Sequence, residues 1–138
     1  MTIQTVTHLN FDGQAGAALH FYHAVFGGGV TAATYRDAGQ ADTDADAARI
    51  IWGQVRADNG FHIMAHDVPT GTTWHPGDKP FYVSVRGDSP AQLQDFWHNL
   101  AAGGEILHPL APAPWTPLYG MLKDRFGVTW VLDVARTA

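Results

Sequence analysis

Two stretches of the chain carry apolar side chains at helical spacing. Ala18, Phe21, Tyr22 and Val25 fall on one face in the first half, and Leu93, Phe96, Trp97 and Leu100 in the second. Ser89 followed by Pro90 reads as an N-cap and a first helical residue. Gly27-Gly28 and Gly103-Gly104 stop the helices, because glycine accepts the left-handed conformation without penalty. Around each helix lie short apolar runs that predict strands, over 6–11, 30–36, 50–56 and 61–66, and then over 81–86, 105–108, 119–123 and 129–134.

The two halves resemble each other. Gly13 aligns with Gly87 and Leu19 with Leu93; after a one-residue slip Phe21-Tyr22-His23 aligns with Phe96-Trp97-His98, and after another Gly27-Gly28 with Gly103-Gly104. Each half therefore predicts a βαβββ unit. The class is α+β, without the strict strand–helix alternation of a Rossmann sheet. Residues 37–49, rich in Ala, Asp, Gly and Thr, predict a mobile hairpin loop whose acidic side chains are solvated. Residues 110–117 hold three prolines around Trp115 and predict a stiff loop. The expected organisation is a single domain over 1–138, with module one at about 1–67, a linker at about 68–79 and module two at about 80–138.

Composition narrows the class. The 138 residues are 46% hydrophobic, enough for a real core, and carry a formal charge of −5 with scattered Lys and Arg. A nucleic-acid partner is not expected, since such proteins need a basic stripe to displace phosphate counterions. Cysteine is absent, which excludes disulfides, thiolate metal sites and Cys nucleophiles. No apolar run is long enough to span a membrane, and Met1-Thr2-Ile3-Gln4 lacks signal-peptide features, so a cytoplasmic location is expected. No nucleophile elbow or phosphate loop is present. The Gly-Gly pairs follow helices, whereas a nucleotide-binding glycine loop opens one.

Particular residues carry a family resemblance. Leu9-Asn10-Phe11-Asp12-Gly13, Phe21-Tyr22, Phe26-Gly27-Gly28, Ile63-Met64-Ala65-His66-Asp67, Trp115, Tyr119-Gly120-Met121 and Asp124-Arg125-Phe126-Gly127-Val128-Thr129-Trp130 occur in the order of PhnB-like proteins. The chain thus resembles the PhnB-like branch of the vicinal oxygen chelate (glyoxalase/bleomycin resistance protein/dioxygenase) superfamily. That resemblance implies two βαβββ modules forming a cupped eight-stranded mixed sheet with helices on the outer face and a small organic ligand in the cup. It also implies a homodimer. Where the family follows its tryptophan with a small residue, Thr116-Pro117-Leu118 stand here. A shared fold does not select among the isomerases, dioxygenases and metal-free binding proteins of the superfamily.

Strand parity sorts the candidates. In metal-dependent members the ligands lie on the first, fourth, fifth and eighth strands and face the cup. Position by position, the resemblance puts Val6, Pro80 and Val131 at three of those sites, with His62 or Met64 at the fourth. Three of the four offer no donor, so no metal and no cofactor are expected. A displaced site using His8 with His62 or His66 and Asp133 stays open. His62 and His66, about 13 Å apart along one strand, are too distant to share one ion. Catalytic candidates are His8, His62 and His66, as acid or base. His20, His23, His75, His98 and His108 read as surface or packing residues, and Trp52 and Tyr119 as sheet core. Ligand-binding candidates are His8, Asn10, Met64, Tyr82, Trp115 and Asp133, since aromatic walls with a few polar groups suit a flat amphipathic molecule. The expected function is metal-independent binding. The alternative is a lyase, isomerase or dioxygenase-type enzyme using the cup histidines or a displaced divalent metal.

Overall fold

A computed structural model describes residues 2–135. Residue 1 and residues 136–138, the outer ends of the two expected modules, lie outside the described residues. The chain divides into two compact units, Met1–Pro76 and Gly77–Ala138.

The first unit contains β1 (Thr7–Phe11), α1 (Ala15–Phe26), β2 (Gly29–Thr34), a one-turn helix α2 (Asp44–Ala47), β3 (Ile50–Arg56) and β4 (His62–Asp67). Its four-stranded mixed sheet has the order β1-β4-β3-β2, with β1 parallel to β4 and the other pairs antiparallel. Helix α1 buries Leu19, Tyr22, Val25 and Phe26, and Phe11, Val55, Ile63 and Ala65 of the strands are buried with them. The second unit repeats the plan with β5 (Val83–Gly87), α3 (Pro90–Leu100), β6 (Glu105–Ala113), β7 (Thr116–Lys123) and β8 (Thr129–Val134), in the order β5-β8-β7-β6. Its core holds Leu93, Leu100, Leu122, Trp130 and Leu132. Two βαβββ modules, each a mixed sheet with a helix on one face, make this an α+β fold.

The repeat is deeper than the residue identities suggest. A Cβ on Gly28 would meet the Arg56 carbonyl oxygen at 2.2 Å, and one on Gly104 the Lys123 carbonyl at 2.4 Å. In both units the second glycine of the pair is therefore needed for close passage over a strand end. Gly53 on β3 lies under Leu19 as Gly120 on β7 lies under Trp97, again with no room for a Cβ. Hydroxyls anchor the last strands alike: Tyr35 donates to the Asp67 carbonyl at 2.6 Å, and Thr116 to the Val134 carbonyl at 2.8 Å. The Gly13–Gly87 match, by contrast, has no structural counterpart. Gly13 turns the chain at φ +98° after β1, whereas Gly87 is inside β5 and is not left-handed.

Three further expectations are corrected. Residues 110–117 are not a loop: β6 runs to Ala113 and β7 begins at Thr116, leaving only Pro114 and Trp115 as the turn. Pro112, with Pro109 before it, is tolerated because β6 is an edge strand whose register with β7 slips repeatedly, so neither missing donor interrupts a paired position; Pro114 is in the turn and Pro117 is the second residue of β7. Residues 37–49 contain α2, capped by the Thr43 hydroxyl, and Asp46 is buried rather than solvated, accepting from the Thr70 amide at 2.7 Å. That bond, with the Thr70 side chain foremost, holds the Asp46 carboxyl below the usual carboxylate range. Phe81, expected to open the fifth strand, precedes β5 and is 81% exposed.

Candidate functional site

Alternation along the first unit's strands gives its sheet two unlike faces. Ile63, Ala65 and Asp67 are buried on the helix side; His62, Met64 and His66 are half-buried on the other. His8 stands opposite Met64 and Asn10 opposite His66 in the parallel β1–β4 register, while Gln54 stands opposite Met64 across the antiparallel β3–β4 pair. These residues form one polar face. The His8 and His66 rings approach edge to face with centroids 4.8 Å apart, and His8 Nδ1 lies 3.2 Å from Asn10 Oδ1. His62 Nε2 lies 2.8 Å from Gln54 Oε1, and the Trp74 indole donates to the Asn10 carbonyl at 3.1 Å. Burial pushes the His66 imidazole below the ordinary histidine range; His8 adds to that effect and Asp67 opposes it.

Behind this face, Asp67 locks the geometry. Its Oδ1 accepts from the amides of Gly13 and Ala15, both at 2.9 Å, and its Oδ2 from the Ile50 amide at 3.0 Å. One buried carboxylate thus ties the start of α1 and the start of β3 to the end of β4. Arg49 completes the corner, donating to Asp12 at 2.7 Å and to the Val68 carbonyl at 2.8 Å. Burial and the nearby Asp67 and Asp46 carboxylates raise the Tyr35 phenol above its ordinary value, so its hydroxyl remains a donor.

The second unit's open sheet face is aromatic with one ion pair. Tyr119, Asp133 and Arg86 occupy neighbouring register positions on β7, β8 and β5, and Arg86 Nε donates to Asp133 Oδ1 at 3.1 Å. Tyr119 meets His108 on one side and Trp115 on the other, edge to face, with centroids 5.1 and 5.2 Å away. Trp115 is 60% exposed on its turn. Tyr82, one residue before β5, is 42% exposed.

Of the sequence candidates, His8, Asn10, Met64, His62 and His66 share the first unit's face, with His8 in contact with both Asn10 and His66. Asp133 and Trp115 belong to the second unit's face, each with a partner that sequence reasoning passed over: Arg86 for the aspartate and Tyr119 for the tryptophan. Gln54 and Arg86 were within reach of the same parity rule, applied to β3 and one residue further along β5. Trp74 carried no such signal, because it sits outside any strand. Tyr119 and His108, taken as core and as surface, are one aromatic group. Val6, Pro80 and Val131, which the resemblance aligns with metal ligands of the family, have no donor atom in their side chains. They do not fit such an ion, and no chemistry of this chain is assigned to a metal there.

A βαβββ module used twice, with a helix on one face of each sheet and a polar or aromatic opposite face, defines a recognisable class. The family model for the Glyoxalase/Bleomycin resistance protein/Dioxygenase superfamily matches residues 5–132, and the chain belongs to that superfamily. Among solved structures, protein PA1353 from Pseudomonas aeruginosa is 30% identical, with 99% of this chain and all of that one covered at a TM-score of 0.83. The PhnB protein from Bacillus cereus is 25% identical over 96% of this chain and all of its own, at a TM-score of 0.73. A glyoxylase/bleomycin resistance protein/dioxygenase domain from Frankia, 15% identical over 99% of each chain at a TM-score of 0.66, shares the fold. No curated protein matches the sequence. Among the described residues no helix is long and apolar enough to cross a membrane.

Proposed function

We propose that this chain binds a small, flat organic molecule against an open sheet face, as the cup implied by the family would hold one, without the family's standard metal. The observation that carries this reading is the aromatic ladder of Trp115, Tyr119 and His108. It leaves the Trp115 ring 60% exposed beside a half-buried Tyr119, at a cost in free energy unless something stacks on it. On the first unit's face His8, Asn10 and Met64 supply wall and polar contacts; on the second unit's face Tyr82 and Asp133 do so, and Arg86 beside Asp133 supplies a donor for an acidic group. The chain is proposed to work as a cytoplasmic homodimer, which sedimentation would test. The test of binding is a thermal-shift screen of planar aromatic and heteroaromatic compounds, run with chelator present. A hit should bind with a dissociation constant in the micromolar range or below and weaken roughly fivefold in Trp115→Ala, the loss of about 1 kcal/mol of stacking. A screen without hits, or a hit indifferent to Trp115→Ala, would sink the proposal.

A second reading is favoured by one observation: His66 is disposed to stay neutral near pH 7, as a general base must be. In that reading the chain is a lyase, isomerase or dioxygenase-type enzyme that uses His8, His62 or His66 in proton transfer. Turnover of a bound compound, lost in His66→Gln while binding persists, would select it.

A further inference from the structure

We infer that His8, Met64 and His66 form a binding site for a soft metal ion, copper(I), on the open face of the first unit's sheet. The site lies within one unit and does not rest on the proposed organic ligand. Its two histidines are displaced from the positions that the resemblance aligns with the family's standard metal, where two valines, a proline and either His62 or Met64 stand.

The geometry is that of two imidazoles and a thioether on adjacent strands. His8 and Met64 are register partners, and His66 follows Met64 by two residues on the same face. Strands lie about 4.8 Å apart and alternate residues of one strand just under 7 Å, so the three side chains leave the sheet as a compact triangle. The two rings are separated by 4.8 Å between centroids. Two imidazoles bound to one ion at about 2 Å have centroids about 5 Å apart when the angle at the metal is near tetrahedral. The observed spacing is close to that value, and a turn of one ring about its Cβ–Cγ bond would aim a nitrogen of each ring at a common point.

The outer contacts agree. An amide oxygen only accepts, so the 3.2 Å contact of His8 Nδ1 with Asn10 Oδ1 places the ring proton on Nδ1 and leaves the Nε2 lone pair free. Such a partner, fixing tautomer and ring orientation, is the usual companion of a ligating histidine.

The donor set also selects the ion. Among the described residues no three His, Asp or Glu side chains are grouped to hold a metal; the third donor here is a sulfur. The only carboxylate on the four strands of this sheet is Asp67, and it is turned to the helix side and fully occupied by backbone amides. Hard cations such as magnesium or calcium, which need several oxygen ligands, find no carboxylate on this face, and its two amide oxygens are already engaged by His8 and His62. Thioether with imidazole favours copper(I) over zinc.

The test is anaerobic competition for copper(I) between the full chain and a chromophoric chelator. Wild type should take up one equivalent. His8→Ala and His66→Ala should each weaken binding at least tenfold, and Asn10→Ala about tenfold, the effect of losing an orienting partner. Met64→Leu should weaken copper(I) at least tenfold while leaving zinc affinity unchanged, and the X-ray absorption spectrum of the loaded protein should contain a sulfur scatterer that Met64→Leu removes. His8, Asn10, Met64 and His66 are exposed or half-buried, and circular dichroism would verify that each variant is folded. No uptake at one equivalent, equal uptake by the His8→Ala/His66→Ala double variant, zinc held as tightly as copper(I), or indifference to Met64→Leu would each overturn the assignment. Since the ligand screen is run in chelator, failure here leaves the stacking proposal standing, and the reverse.

Discussion

Replacing Asp67 with asparagine preserves shape and exchanges one oxygen for an NH2 group. In the native structure the carboxylate is 1% exposed and accepts three backbone N–H bonds, two on Oδ1 and one on Oδ2. Asparagine can keep its oxygen toward Gly13 and Ala15, but its amide nitrogen then faces the Ile50 N–H, donor against donor. One buried N–H is left unsatisfied, at about 1–3 kcal/mol, and the two remaining bonds lose their charge assistance, roughly another 1 kcal/mol. The expected loss is about 2–4 kcal/mol, and Asp67→Ala, which strands all three amides, should lose more. Urea melts at pH 7, with the midpoint shift multiplied by the common slope, measure this directly. Asp12→Asn serves as the control: its pair with Arg49, at 2.7 Å, joins a half-exposed carboxylate and should be worth less than about 1 kcal/mol. If Asp67→Asn stays within about 0.5 kcal/mol of wild type, the three amides have another solution and the reasoning fails.

Two further outcomes follow from the packing and the titration. Gly120→Ala puts a Cβ 2.8 Å from the Trp97 ring and 3.0 Å from the Leu110 Cα, and should cost about 1–3 kcal/mol by thermal melt, partly recovered by Trp97→Leu; no loss would mean that β7 shifts freely under α3. The His66 imidazole titrates below its ordinary value of 6.5, so as pH falls through that value the unfolded chain takes up its proton first. Its contribution is complete above about pH 6.5, falls as pH drops toward the folded value, and is level below it. The decline in melting temperature between about pH 7.5 and 5 should therefore be shallower in His66→Gln, and an equal slope would refute the burial argument.

How much of this was legible beforehand depends on what each feature rests on. The two long helices and the approximate positions of all eight strands follow from periodicity, capping residues and glycine pairs, which act within a few residues. Strand parity likewise separated His62, Met64 and His66 from Ile63 and Ala65. Local reasoning erred where a neighbour in space decides. Prolines at 109 and 112 argue against a strand, yet they lie in β6 because it sits at a sheet edge, and edge position is a property of the assembled sheet. Asp46 reads as one more acid in a polar loop, but the Thr70 amide 24 residues later makes it a buried acceptor.

The same division runs through the site. The chain's own pattern is enough to establish a twice-used βαβββ module, its superfamily and the set of polar residues facing away from each helix, because alternation along a strand is a backbone property. It could not pair His8 with His66, Gln54 with His62, or Arg86 with Asp133. Those meetings depend on register between strands that are 8 to 58 residues apart in sequence, and register is set by packing across the whole sheet. Nor could it reveal Asp67 as the clamp behind the first face, since a carboxylate that accepts three amides exists only once turn, helix and strand have converged on it.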